Sequence, residues 1–150
     1  ISPDTELLLM NARRAQLVQQ VIRPALAKGS VVLCDRFYDS SLAYQGYGRG
    51  LDLAKVQRAI DLAVGETKPN ITLLLDIPLE VSNERVSHRQ SETGESNDQF
   101  DRSGDHFFKR VHDGFHALAK AEPQRIRIIN ANQSPDAVSD EIWVTLKDYF

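Results

Sequence analysis

The chain has 150 residues, of which 41% are hydrophobic and 26% are charged, and it carries a formal net charge of −3. This length fits one domain over residues 1–150 with a core of its own. The slight acidic excess argues against a sequence-independent grip on nucleic acid, and no apolar run reaches the length of a membrane span. The single cysteine, Cys34, lies in an apolar run, so we expect a small core residue in a reducing, cytoplasmic compartment.

A long helix is expected at the start of the chain. Ser2 and Pro3 are residue types of an N-cap and a first helical position, and Gly29 is a typical helix stop. Pro24 should bend this helix near its end. Apolar residues recur on two faces, which predicts two packing partners, the sheet and the second subunit of a homodimer. One face holds Leu7, Met10, Leu17 and Val21, and the other holds Leu8, Ala12, Ala15, Ile22 and Leu26.

Arg14 projects from the middle of the first of these faces. Because burying an unpaired cation is costly, this side chain requires a partner. The pattern leaves three options open: an internal carboxylate, an aliphatic stem that reaches water, or an acceptor on a bound ligand.

The largely apolar stretch Ser30–Cys34 is typical of a strand buried on both faces of a parallel sheet. It is followed by Asp35 and Arg36, at the strand end where open α/β sheets bind ligands. A guanidinium fixed there suits a phosphate or a carboxylate group. The alternative is an Asp–Arg pair that only caps the strand.

A short polar helix is expected next, before a glycine-rich turn. Ser40 and Tyr44, and likewise Ser41 and Gln45, are four residues apart and share helix faces. Their hydroxyl and carboxamide groups supply the directional hydrogen bonds that identify a sugar or a base. A solvated helix face is the alternative interpretation.

Helices and strands alternate through the remaining sequence. Asp52 is the expected cap of a second long helix, and buried strands are expected at Ile71–Leu75 and Arg125–Ile129. Helices are expected from about Leu79 to His88 and from Ser134 onward. This alternation predicts an α/β fold with a parallel sheet and helices on both faces. Because only three strands are found and a helix comes first, we expect that an N-terminal β-loop-α unit is missing.

Residues 89–104 are polar and lack periodicity, which predicts a mobile lid loop inside the domain. Arg85 and Arg89 lead into this loop and Arg102 lies beyond its polar core, an arrangement that suits a lid closing over transferred phosphates. The alternative for each arginine is an exposed surface residue that contributes only to solubility. His112 and His116 have the i,i+4 spacing of a zinc pair, but no third ligand is evident in the sequence.

Several of these stretches together resemble the bacterial thymidylate kinases, a family of P-loop nucleoside-monophosphate kinases. The resemblance implies a P-loop NTPase-like α/β fold that lacks its first β-loop-α unit, which would split the sheet and leave this fragment alone inactive. The implied reaction transfers a phosphoryl group from ATP, with Mg²⁺, to dTMP. The stretches that carry the resemblance are Arg14-Ala-Gln-Leu, Val21-Ile-Arg-Pro-Ala-Leu, Asp35-Arg36-Phe37, Ala43-Tyr-Gln-Gly46, Leu75-Asp76 and Asn130-Ala-Asn-Gln133.

The same resemblance implies roles for individual residues on the dTMP side. Arg36 would hold the 5′-phosphate as a catalytic residue, and Asp35 would lie near Mg²⁺ through water. Arg14 would bond the thymine ring, where Met10 replaces a phenylalanine that stacks in the family. The remaining contacts to base and sugar would come from Ser40, Ser41, Tyr44 and Gln45.

On the ATP side, the resemblance implies contacts from arginines and from a loop near adenine. Arg89 and Arg102 would also be catalytic, but the lid departs from the family pattern, so which arginine meets the transferred phosphate stays open. The implied ATP-binding residues are Arg85, Arg89, Arg102, Asn132 and Gln133. Two alternatives also stay open: another nucleotide or deoxynucleoside kinase, and a non-catalytic nucleotide-binding fragment.

Overall fold

The computed structural model describes residues 1–82, 84–85 and 102–149. Two compact units are present: Ile1–Pro69 with Arg110–Phe115, and Asn70–Lys109 with His116–Phe150. Among the described residues, no helix combines the length and the apolar character needed to cross a bilayer.

The first unit opens with a long helical segment in three parts. These are α1 (Pro3–Leu17), a π-helical turn (Val18–Ile22) and α2 (Arg23–Ala27). The predicted ends are confirmed, because the Ser2 hydroxyl accepts from Thr5 N and Gly29 adopts a φ of 75°. The π turn ends two residues before Pro24, whose missing N–H and bulky ring disrupt an ordinary α-helical turn.

The buried stripe of this helical segment differs from both predicted apolar faces. Leu7, Val18 and Ile22 are buried together with the polar residues Asn11 and Arg14. Met10 and Val21 of the first predicted face are exposed, as are Leu8 and Leu26 of the second. The residues that pack against the rest of the first unit are therefore drawn from both faces.

The rest of the first unit comprises a short helix, a π-helical segment and a second long helix. Helix α3 (Asp39–Ser41) leads into the π-helical segment Leu42–Gly48, and α4 (Leu53–Val64) follows. Asp52 caps α4 by accepting from Lys55 N at 2.8 Å, as predicted. Helix α4 packs against α1 and buries Val56, Ile60 and Val64 in the core.

The predicted strand at Ser30–Cys34 is wrong: residues 30–34 do not form a strand within the described part of the chain. Val31 and Leu33 are 64% and 89% exposed, and Cys34 is exposed rather than in the core. A strand needs a neighbour to accept and donate its alternate backbone hydrogen bonds, and no described strand pairs with this stretch. Its apolar composition therefore identifies a segment suited to burial, but the pairing is absent.

The second unit contains two parallel strands, β1 (Thr72–Asp76) and β2 (Ile126–Asn130). They pair in register from Thr72 beside Ile126 to Asp76 beside Asn130, which confirms the later two predicted strands within one residue. Residues 79–82 and 84–85 are helical. Helix α5 (Arg102–Ala121) contributes residues 110–115 to the first unit, and α6 (Pro135–Leu146) packs on β2 before a 3₁₀ turn (Lys147–Tyr149).

Candidate functional site

Arg36 has a backbone conformation that is rare for its residue type. Its φ is 56°, in the left-handed region where a side chain with a Cβ is strained. The exposed guanidinium donates from Nη2 to the Tyr44 hydroxyl at 2.9 Å and lies 5.0 Å from the centroid of the Tyr44 ring. Strain of this kind persists where the surrounding structure enforces it, and such residues cluster at functional sites. Asp35, directly before it, is also exposed.

Tyr44 and Gln45 are placed by the π-helical segment Leu42–Gly48. Its wider turn is closed by a hydrogen bond from Arg49 N to Tyr44 O at 2.8 Å, five residues apart. Ser41 and Gln45 are buried within the unit, with Gln45 only 4% exposed, while Ser40 and Tyr44 are half-buried. The polar pairs predicted on this helix are therefore not a solvated face.

Arg14 is buried, with 9% of its surface exposed. Its Nη1 donates to Asn11 Oδ1 at 2.7 Å, and its Nη2 donates to Phe37 O at 3.1 Å. The guanidinium carbon also lies 5.6 Å from the Phe37 ring centroid. Desolvation lowers the pKa of Arg14, and the charges of Cys34 and Asp39 oppose that shift. The sequence left three options open for Arg14, and its burial excludes the one in which the side chain reaches water. The acceptors that it contacts are the side-chain amide of Asn11 and the backbone carbonyl of Phe37.

Glu6 on α1 connects the buried Gln45 to an exposed arginine. Gln45 Nε2 donates to Glu6 Oε1 at 2.6 Å, and Arg49 Nη2 lies 3.2 Å from the other oxygen, Oε2. A carboxylate between an amide and a guanidinium uses one oxygen for each. Neither Glu6 nor Arg49 could be assigned to the site from the sequence, because more than forty residues separate them.

Residues 110–115 of α5 hold the π-helical segment at three points. Arg110 donates from Nε and Nη2 to Gly48 O, at 3.1 and 2.8 Å. The Gly114 backbone approaches Tyr47 so closely that an added Cβ would lie 2.7 Å from Tyr47 Cγ. The Phe115 ring meets the Tyr44 ring edge-on, with centroids 6.2 Å apart. A glycine inside a strongly amphipathic helix was the available sequence signal for this contact.

Met10 lies on α1 one turn before Arg14 and is 45% exposed. In the first unit, Arg36 thus contacts Tyr44 directly. Arg14 contacts Phe37, the residue that follows Arg36. The predicted substrate residues Met10, Ser40 and Asp35 make no side-chain hydrogen bond to these groups among the described residues.

Three predicted ATP-side residues lie in the second unit, after the carboxyl ends of the strands. Arg85 Nη2 lies 3.5 Å from Ala131 O, at the edge of hydrogen-bond range, next to the loop that carries Asn132 and Gln133. Asn132 N donates to Asn130 Oδ1, whereas Gln133 Nε2 donates to Glu141 Oε2 at 2.7 Å. Three of the five predicted ATP-binding residues, Arg85, Asn132 and Gln133, therefore lie in or beside one loop.

The predicted lid, 89–104, is described only from residue 102, where helix α5 begins. Arg89 lies outside the described residues, and so does the side chain of Arg102. At the end of β1, His116 Nε2 is 3.0 Å from Asp76 Oδ1.

The sequence matches the family model described as thymidylate kinase over residues 1–142. The chain belongs to the thymidylate kinase family. It is 51% identical over 142 residues to a thymidylate kinase of a Synechococcus strain, covering 95% of this chain and 65% of that relative. It is 45% identical over 146 residues to the thymidylate kinase of Syntrophotalea carbinolica, covering 97% of this chain and 68% of that relative.

A third thymidylate kinase, from Solidesulfovibrio magneticus, is 46% identical over 140 residues, covering 92% of this chain and 67% of the relative. The chain therefore spans about two thirds of the length of the curated relatives it matches. Membership in the thymidylate kinase family implies a P-loop NTPase fold. The parallel pair of strands and the many helices agree with that class.

Proposed function

We propose that the protein carrying this chain is a dTMP kinase, which transfers the γ-phosphoryl group of ATP to dTMP and yields dTDP and ADP. The single observation that carries the proposal is the strained, exposed Arg36 held against Tyr44, in a chain of the thymidylate kinase family. Phosphoryl transfer depends on positioning and on charge neutralisation, and both can be supplied by a fixed guanidinium.

On the dTMP side, Arg36 binds the 5′-phosphate, because its remaining N–H groups are not engaged by the described residues. The Tyr44 hydroxyl fixes the guanidinium and lies close to the sugar. Arg14 bonds the pyrimidine ring from its buried position, and Met10 packs on that ring. The remaining contacts to base and sugar come from Ser40, Ser41 and Gln45.

On the ATP side, Arg85 and the loop with Asn132 and Gln133 approach the nucleotide, and Arg89 and Arg102 approach the transferred phosphate. Mg²⁺ would accompany ATP and neutralise phosphate charge. The exposed carboxylate of Asp35 fits this ion, which prefers oxygen ligands and keeps several waters. Asp35 would therefore hold a water of the hydrated ion.

The exposed apolar side chains support two further parts of the proposal. Leu8 and Val21, 64% and 54% exposed, suit a homodimer contact along the first helical segment. Val31 and Leu33 suit pairing of residues 31–34 with a strand that is not among the described residues, as in a parallel sheet buried on both faces.

The test is a substrate panel on the full protein that carries this sequence. Production of ADP is measured with dTMP, dUMP, dCMP, dGMP and thymidine as acceptors, and dTMP binding is measured by calorimetry. The proposal expects dTMP to be preferred. A preference for another monophosphate or for thymidine would identify a different kinase, and nucleotide binding without turnover would identify a non-catalytic binding protein.

Arg36→Ala provides the residue-level test. We expect dTMP binding to weaken by about 10- to 100-fold with little change in melting temperature, because a charge-assisted contact to phosphate is lost. Arg58→Ala, at an exposed position on α4, is the matched control and should bind dTMP like the parent. A large fall in melting temperature with unchanged binding would instead assign Arg36 to a structural ion pair.

A further inference from the structure

Gln45 is a buried carboxamide whose two polar atoms have different surroundings. Its Nε2 donates to Glu6 Oε1 at 2.6 Å. In the part of the chain that the structure describes, its Oε1 accepts no hydrogen bond, although the residue is only 4% exposed. The amide nitrogen is therefore engaged within the first unit, and the carbonyl oxygen is available to a donor on a bound ligand.

The orientation of this carboxamide is decided by the chemistry of Glu6. An ionised carboxylate has acceptors only, so the atom of Gln45 that faces Glu6 must be the NH₂ group. Arg49 Nη2, 3.2 Å from Glu6 Oε2, pairs with the second carboxylate oxygen and holds it away from Gln45. The Gln45 carbonyl oxygen is consequently directed away from Glu6.

We infer that Glu6, held by Arg49, is a positioning residue that makes Gln45 a hydrogen-bond acceptor toward the bound base. This inference rests on the proposed function. It selects a pyrimidine that carries a ring N–H, as thymine and uracil do at N3, over cytosine, whose N3 is an acceptor. Two facing acceptors repel, so a cytosine base would leave both atoms without a donor in a buried site.

The test is Glu6→Gln in the full protein. A neutral glutamine at position 6 can donate as well as accept, so Gln45 becomes free to reverse its amide. We expect kcat/KM for dTMP to fall about tenfold and dCMP to compete at a lower inhibition constant. The dTMP to dCMP ratio, taken as kcat/KM for dTMP divided by the reciprocal of the dCMP inhibition constant, should therefore fall by more than tenfold. A merely structural role for Glu6 would weaken both nucleotides together.

Two further variants isolate the pathway through Gln45. In a Gln45→Met background, which keeps the side-chain length but removes the amide, Glu6→Gln should cause no further change in the dTMP to dCMP ratio. Asp4→Asn is the matched control, because Asp4 lies on the same helix and pairs with Lys55 at 2.8 Å instead of with Gln45. It should leave the ratio unchanged.

The inference is overturned if Glu6→Gln keeps the parental ratio, or if it shifts the ratio equally in the Gln45→Met background. If Glu6→Gln does not fold, Glu6→Met gives the same comparison, since it removes the acceptor that faces the Gln45 amide. Failure of the proposed function has a different signature: the parent protein itself would not prefer dTMP. The parental substrate panel therefore separates the two outcomes.

Discussion

Arg110 donates two hydrogen bonds, from Nε and Nη2, to the single carbonyl oxygen of Gly48, at 3.1 and 2.8 Å. Gly48 is buried and ends the π-helical segment that carries Tyr44 and Gln45. The last turn of a helix leaves carbonyl groups without partners inside the helix, and a guanidinium fork satisfies this one. The site is therefore held by a residue of α5, far from the π-helical segment in the sequence.

Arg110→Met should destabilise the protein by about 1–2 kcal/mol, because a buried carbonyl loses its charged donor. Arg110→Lys should recover part of that loss, since an ammonium can reach one acceptor but lacks the planar fork. Urea unfolding measures both values. Lys120→Met, at an exposed position on the same helix, is the control and should unfold like the parent. Equal stability of the two methionine variants would contradict the proposed role of the fork.

Gly114→Ala should also destabilise the protein, by about 1–3 kcal/mol, even though alanine is the better helix former. The new methyl group would lie 2.7–2.8 Å from Cγ, Cβ and Cδ2 of Tyr47, so the tyrosine must move. Thermal unfolding of the two single variants and the double variant with Tyr47→Ala gives a double-mutant cycle. Gly114→Ala should cost less stability without the tyrosine ring, because removing the ring relieves most of the overlap. A stabilising Gly114→Ala would show that Tyr47 relocates freely.

The features that the sequence predicted correctly are local. Ser2 and Asp52 cap helices by accepting from the backbone three residues later, and Gly29 ends a helix by adopting positive φ. Each depends on residues within one turn of each other, so residue type and spacing are sufficient. The unusual position of Arg14 was also evident from the sequence, because a charged side chain is uncommon on the apolar face of a helix.

The features that the sequence did not reveal depend on distant partners. Ser30–Cys34 has the composition of a strand, but pairing requires a neighbour that composition does not specify. The left-handed backbone of Arg36 could not be predicted from residue type, since an arginine does not prefer that conformation. The link from Glu6 to Gln45 joins residues 39 positions apart, and a helical period gives no indication of it.

Arg14→Met should weaken dTMP binding by about 10-fold or more while changing the free energy of unfolding by less than about 1 kcal/mol. Replacing a buried cation by a long apolar side chain removes the cost of desolvation together with two hydrogen bonds, so the effects on stability partly cancel. Calorimetry with dTMP and urea unfolding provide the two measurements. Arg13→Met, on the exposed side of the same helix, is the control and should leave both values unchanged.

The contribution of Arg14 to binding should be the same between about pH 6 and pH 9, because an arginine stays protonated over this range even after burial lowers its pKa. The ratio of dTMP affinities of the parent and Arg14→Met is the quantity to follow, since titration of the nucleotide phosphate affects both proteins equally. A ratio that falls as the pH rises would mean that another, titrating group makes the contact.

Arg125→Met should destabilise the second unit, because one guanidinium joins two segments there. Its Nε and Nη2 donate to the two oxygens of Glu122 at 2.8 Å each, and its Nη1 donates to Thr72 Oγ1 at 2.9 Å, where β1 begins. The arginine side chain is 12% exposed, so the loss should be about 1–3 kcal/mol, more than for a pair on the surface. Arg127→Met is the matched control on β2, since Arg127 donates to a single carbonyl, Pro123 O. If the two variants lose stability equally in urea unfolding, the fork on Glu122 and Thr72 contributes no more than one exposed hydrogen bond.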